Sequence, residues 1–179
     1  IPRVRLGPLE VSALGIGTGT YGHGFQSQQS RMTPDALGNL LKEALFQGMS
    51  WWDTSDDYDT HRHVKAGLEG VDRALVQIST KSHCATAEEA RRSLDAALAE
   101  LGPVDLFFMH DMDDPAELAH RRGAYDWLRG ARNRGLIRAV GLSTHNIDTL
   151  EACLAWSDLD VVMTNFNKFE DHMDAGLKH

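Results

Sequence analysis

Short apolar runs alternate along this chain with longer segments whose apolar residues recur at three- and four-residue spacing. The first pattern suits strands buried on both faces, the second amphipathic helices. LGIGT (14–18) reads as a strand. Thr33-Pro34 opens a helix to Gly48, with Thr33 as cap and Pro34 at the first helical position. WWDTS (51–55) is the next strand, and 61–74 is a short helix weakened by Gly67 and Gly70. VQISTK (76–81) is a third strand. Thr86 and Glu89 form a capping box, followed by Ala90, Leu94, Ala97, Leu98 and Leu101 at helical spacing. VDLFFMH (104–110), AVGLST (139–144) and DVVMTNF (160–166) complete the strands. Helices over Pro115–Arg134 and about 147–156 separate them, and HMDAGLKH begins one more.

Strands alternating with helices, without a linker, predict an α/β fold with a parallel sheet covered by helices. An open doubly wound sheet and a closed (β/α)8 TIM barrel both satisfy that order. Side-chain alternation decides between them. In VDLFFMH it sets Leu106, Phe108 and His110 on one face, Asp105, Phe107 and Met109 on the other. Polar residues ending the inward faces of several strands converge at one mouth only in a barrel. Gly17 to Gly22 does match G-x-G-x-x-G after a strand. A dinucleotide-binding fold would start its helix at that loop, yet the helix signal waits until Thr33-Pro34. A (β/α)8 barrel takes about 250 residues. The 179 residues here therefore read as one barrel domain over 1–179, with only about the first six βα units and without strands 7–8 and the C-terminal segment.

Composition narrows the function. The net charge is −8 and no basic block interrupts it, which disfavours nucleic acid and anionic membranes as partners. Cys84 and Cys153 are far apart and lack metal-ligand spacing, as expected of a reduced, cytoplasmic protein. No run reaches membrane-spanning length, and IPRVRLGPLE has no signal-peptide core. The first residue is Ile, so N-terminal processing or preceding residues are expected. The expected partner is a small molecule; the pattern sets no oligomeric state.

The candidate chemistry lies at strand ends. Asp53, Tyr58, Lys81 and His110 each sit at or just past an apolar run, where α/β folds collect their sites. Each alone has a plain reading, as a turn cap, a loop residue, a solvated lysine or a core histidine. Together they make a proton-transfer site. A phenol ordinarily titrates near pH ~10, and a nearby cation lowers that value. Lys81 is expected to do so, Asp53 to hold Lys81, and His110 to orient a carbonyl oxygen. Tyr21, His23 and Trp52 are expected along the substrate pocket from their positions. A metal-dependent barrel hydrolase is an alternative, with His61-x-His63 beside Asp56, Asp57 and Asp59, or with Asp53, His83, His110 and His145, as ligands. The reading preferred here has no metal.

The whole run of motifs resembles the aldo-keto reductase superfamily. RLGPLEVSALGIGTGTYG resembles its opening hairpin and first barrel strand; WWDTSDDY carries its D-x-x-x-x-Y pattern, ISTK its lysine, and RRSLDAALAELGPVDLFFMHD its histidine. RNRGLIRAVGLSTHN resembles its K-x-G-x-I-R-x-x-G-x-S segment. The resemblance implies an NADPH-preferring, sometimes NADH-using, reductase of aldehydes and ketones. It implies Tyr58 as proton donor, Lys81 and Asp53 as its tuning pair, and His110 as the orienting residue. Gly17, Thr18, Asp53, Ser143, Thr144 and Met163 take the cofactor-binding places, with Ser143 near the nicotinamide carboxamide. Thr144 stands where many members have Asn, and Met163 where many have Gln. The segments that stack on nicotinamide and grip the 2′-phosphate are not in the sequence. A non-catalytic, cofactor-binding barrel subunit is the other outcome the resemblance allows.

Overall fold

A hairpin opens the chain. Strand β1 (Arg3–Leu6) pairs antiparallel with β2 (Leu9–Ser12) around Gly7, whose φ of +56° suits the tight turn. The computed structural model describes residues 1–20, 26–156 and 158–167. The hairpin leads into six parallel strands that pair in sequence order: β3 (Gly15–Gly17), β4 (Trp51–Asp53), β5 (Gln77–Ser82), β6 (Leu106–Met109), β7 (Ala139–Thr144) and β8 (Val161–Thr164). Helices α1 (Pro34–Phe46), α2 (His61–Leu68), α3 (Ala87–Leu101), α4 (Pro115–His120), α5 (Arg122–Asn133) and α6 (Ile147–Cys153) connect them. Every strand lies beside its predecessor, the order of a (β/α)8 barrel, so the fold is a partial barrel.

Local sequence explains the boundaries. Thr33 accepts from the Ala36 amide and starts α1, while Thr86 and Glu89 cap each other's backbone at α3. The helix expected over 61–74 stops at Leu68, two residues before Gly70 takes φ +76°. The helix expected over Pro115–Arg134 divides at Arg121 into α4 and α5. Gly38 and Gly67 let α1 and α2 touch: a Cβ on Gly38 would lie 2.8 Å from the Gly67 amide nitrogen. The start of a helix at 172–179 lies outside the described residues.

Alternation sorts the strand side chains into two layers. Trp52, Ile78, Phe107, Met109, Val140 and Leu142 face outward and pack under the helices with Leu41, Leu94, Tyr125 and Leu128. Trp51, Leu106, Phe108, Ala139, Val161 and Met163 form a smaller inner cluster with Leu9 and Val11 of the hairpin. Burying each large outward side chain contributes about 1.5–3 kcal/mol. That outer layer fixes where the strand ends stand. Among the described residues no helix is long and apolar enough to cross a membrane.

Candidate active site

The inward positions change character at the C-terminal ends of the strands. Below, Trp51, Leu106, Phe108 and Ala139 are apolar beside the polar Gln77 and Ser79 of β5; at the rim stand Asp53, Lys81, His110 and Ser143. Lys81 is 3% exposed, and a buried ammonium needs partners. Its Nζ lies 2.5 Å from Asp53 Oδ2 and donates to the Thr54 carbonyl at 2.8 Å. Asp53 Oδ1 accepts from Ser79 Oγ at 2.6 Å, and Ser79 accepts from the Trp51 indole N–H at 2.9 Å. Trp51 and Asp53, and Ser79 and Lys81, are two apart on their strands. Period-two alternation thus builds a chain of hydrogen bonds across β4 and β5.

Tyr58 reaches this pair from a single 3-10 turn, Asp56–Tyr58, which ends at Asp59 in the left-handed region (φ +55°). The Lys81 ammonium sits 4.8 Å from the centre of the Tyr58 ring. Tyr58 Oη lies 3.5 Å from His110 Nε2, and the two rings meet edge to face. Gly19 makes this possible, because a Cβ there would fall on the Tyr58 ring. The glycine-rich loop thus serves the tyrosine. Lys81 stands at the ring as expected, but its charge is opposed. Burial, then the charges of Asp53, Asp57 and Asp111, raise the phenol's pKa well above the ordinary tyrosine range. Lys81 is itself paired with Asp53.

His110 is held from three sides. Its Nδ1 lies 3.2 Å from Ser55 Oγ and 3.4 Å from Asp57 Oδ1; its Nε2 lies 3.4 Å from Asp111 Oδ1. Its backbone carbonyl accepts from the guanidinium of Arg121, which is 3% exposed and also donates to the carbonyls of Ser82 and Cys84. One arginine therefore ties the ends of β5 and β6 together, at the residue where the α4–α5 helix breaks. Asp57 Oδ2 lies 3.3 Å from His83 Nε2, and Asp57 also accepts from Ser55. Burial opposes ionisation of Asp57, but the bonds from His110, His83 and Ser55 outweigh it and hold the carboxyl well below the usual range. The bond from Asp57 raises His83 against the opposing effect of burial.

The other expected residues divide by parity. Gly17 and Met163 lie on the inner side, as does Ser143, whose hydroxyl accepts from the Asp111 amide at 3.0 Å. Thr18, Thr144 and Trp52 take the opposite parity. Thr18 is fully buried, its hydroxyl bonded to the Asp53 carbonyl and to Thr60 Oγ1. Thr144 is 1% exposed, with its hydroxyl directed to Asp113 and the Asn146 carbonyl. Trp52 is 0% exposed in the outer layer, and Trp51 is the tryptophan on the inner side. Tyr21 and His23 lie outside the described residues. The His61-x-His63 pair does not converge: His61 bonds Glu100 and Thr80, whereas His63 bonds the Met32 carbonyl. Ser79, Ser55 and Arg121 belong to the site and had no assigned place in the sequence, where Asp57 entered only as a ligand of the alternative metal site. The serines follow from the same alternation rule; Arg121 carries no local signal.

A partial (β/α)8 barrel with these groups at the strand ends defines the class of protein. A sequence model of the Aldo/keto reductase family matches residues 13–178; the chain belongs to that family. It is 27% identical to an aldo-keto reductase of Gibberella moniliformis, a match covering 99% of the chain and 57% of that protein. It is 27% identical to a chloroplastic pyridoxal reductase of Arabidopsis thaliana over 80% of the chain and 44% of that protein. The chain thus spans about half the length of these curated relatives. A Bombyx mori aldo-keto reductase solved in complex with NADP shares the fold with a TM-score of 0.75 and 19% identity, covering 98% of this chain and 63% of that one.

Proposed function

We propose that the protein containing this chain is an NAD(P)H-dependent reductase of aldehydes or ketones, with NADPH preferred. The observation that carries this reading is the contact chain Asp53–Lys81–Tyr58–His110, at 2.5 Å, 4.8 Å and 3.5 Å in turn. The inner side of the rim suits a flat cofactor ring. A Cβ on Gly17 meets nothing within 4 Å, so the backbone there is open to close approach. Gly17, Asp53, Ser143 and Met163 would hold the nicotinamide, which supplies the hydride when bound.

The chain's own groups manage the carbonyl oxygen. Tyr58 Oη and His110 Nε2 are 3.5 Å apart, so a single oxygen can lie about 2.8 Å from both. His110, protonated at Nε2, orients that oxygen by a hydrogen bond. Tyr58 is a neutral phenol at physiological pH and gives its proton to the oxygen as negative charge develops. Lys81 stabilises the phenolate left behind, and Asp53 holds Lys81 at that spot. The non-catalytic barrel alternative finds no missing member in this set. The test is Tyr58→Phe in the full-length protein, with NADPH oxidation followed over a panel of carbonyls. Turnover is expected to fall by about 10²–10⁴-fold, with NADPH binding, read by nicotinamide fluorescence, retained. Turnover within a few-fold of wild type would overturn the assignment.

A further inference from the structure

The rim continues past His110 into groups that the reductase reading does not use. Asp57, His83 and His110 come from the segments after β4, β5 and β6, and each offers one ligand atom within 4.8 Å of the others. Asp57 presents one oxygen to His110 Nδ1 at 3.4 Å and the other to His83 Nε2 at 3.3 Å. Ligands about 2.0–2.2 Å from a tetrahedral zinc stand about 3.4 Å from one another. The two separations run to different oxygens of Asp57, so they match ligand–ligand edges with Asp57 as a bidentate carboxylate. Two imidazoles and a carboxylate suit Zn²⁺, Ni²⁺ or Fe²⁺ better than Mg²⁺ or Ca²⁺.

The geometry points to a divalent transition-metal site formed by Asp57, His83 and His110, on the side of His110 away from Tyr58. The surroundings favour it. Asp111 Oδ2 lies 3.8 Å from His83 Nε2, so a second carboxylate stands within reach and the two acids match an ion of charge two. Arg121 is the opposing cation, but its guanidinium is spent on three backbone carbonyls and lies 3.7 Å from Glu117. The His83 side chain is 42% exposed and borders an open depression lined also by Asp56, Ser82 and Glu89, which gives an ion a way in. The other candidate cluster, Asp111, Asp113 and His145, is a local turn: Asp113 accepts the His145 amide at 2.7 Å.

Binding through Nδ1 leaves the His110 proton on Nε2, the nitrogen facing Tyr58. A bound ion therefore fixes the tautomer that the reductase reading needs. That consequence rests on the reductase reading; the metal site itself does not.

The test is Zn²⁺ titration by calorimetry, with Co²⁺ absorption as a second readout, on full-length protein without cofactor or substrate. One saturable site is expected. Losing a partner that merely orients a ligand costs about 10–100-fold in affinity, so His83→Ala and Asp57→Asn are each expected to cost at least that. His145→Ala is expected to leave binding unchanged. Absence of saturable Zn²⁺ binding, wild-type affinity in both His83→Ala and Asp57→Asn, or loss of binding in His145→Ala would each overturn the site. Unfolding curves of the same variants confirm that they are folded, and isosteric Asp57→Asn keeps the test decisive if His83→Ala is perturbed. A protein that binds Zn²⁺ but reduces no carbonyl keeps the site and loses the reductase reading; the reverse result does the opposite.

Discussion

The two faces of the sheet solve opposite problems with neighbouring residues. On the outer face Trp52, Ile78, Phe107 and Leu142 are almost wholly excluded from water and ask only for shape. On the inner face Ser79 and Lys81 are buried, Trp51 and Asp53 are partly buried, and every polar atom named above has a partner. Tyr58 and Tyr125 sharpen the contrast. Burial raises both phenols. Tyr58 has a cation at its ring and an imidazole at its hydroxyl, whereas the Tyr125 hydroxyl is buried without a hydrogen-bond partner among the described residues. A one-residue step along a strand therefore separates packing from chemistry, and each face is broken by a different kind of change.

The largest effect is expected on the inner face. Lys81→Met removes the cation and strands the Asp53 carboxylate, whose side chain is only 16% exposed. Breaking a buried pair from one side costs about 3–5 kcal/mol, readable by urea unfolding at neutral pH. Asp53→Asn combined with Lys81→Met is expected to cost less than the sum of the two single changes, because the second removes the charge that the first strands. A single-variant loss of under about 1 kcal/mol, the range of an exposed pair, would mean that the rim is solvated and that the two faces do not differ in this way.

Gly17 at the end of β3 and Gly19 just after it test the comparison next. Gly19→Ala sets a methyl group on the Tyr58 ring, and Gly17→Ala points one into open space. Overpacking costs about 1–3 kcal/mol, so Gly19→Ala is expected to lose that much stability and to displace Tyr58 from His110. Gly17→Ala is expected to stay within about 0.5 kcal/mol of wild type. Thermal unfolding of the pair separates the two roles, and equal losses would remove the steric argument for Gly19.

Much of this arrangement was legible in the chain. The strand and helix order, the Thr33 and Thr86 caps, and the convergence of Asp53, Lys81 and His110 follow from hydrophobic period and from residues at strand ends. The facing of three expected residues was harder to read. Thr18, Thr144 and Trp52 are each adjacent to an inward residue, and alternation sends one of two neighbours to the opposite face. A family motif names such neighbours together; the pleat does not. The pKa of Tyr58 was illegible for another reason. Sequence supplies the lysine, but only the turn at Asp56–Tyr58 and the left-handed Asp111 bring in the opposing carboxylates. Arg121 was hidden because its three acceptors are backbone carbonyls, which leave no trace in residue type.

The smallest effect is expected on the outer face, and it runs in the other direction. Tyr125 packs its ring against Trp156 at 4.5 Å and is 0% exposed. Tyr125→Phe keeps that packing and deletes a buried hydroxyl without a partner, so it is expected to stabilise the fold by about 1 kcal/mol. The pH dependence has a definite sign. Burial, followed by the charges of Asp158 and Asp160 acting against Arg129 and Arg132, pushes the phenol up to about 12. An unfolded phenol titrates near pH ~10. The native state therefore holds its proton where the unfolded state has lost it. The contribution is fully present below the unfolded value and is lost as pH rises through the folded one. Wild type is accordingly expected to lose stability relative to Tyr125→Phe between these two values and to run parallel to it at lower pH. Parallel stability curves through the alkaline range would mean that the hydroxyl finds a partner or water after all, and that the outer face is not the dry layer its packing implies.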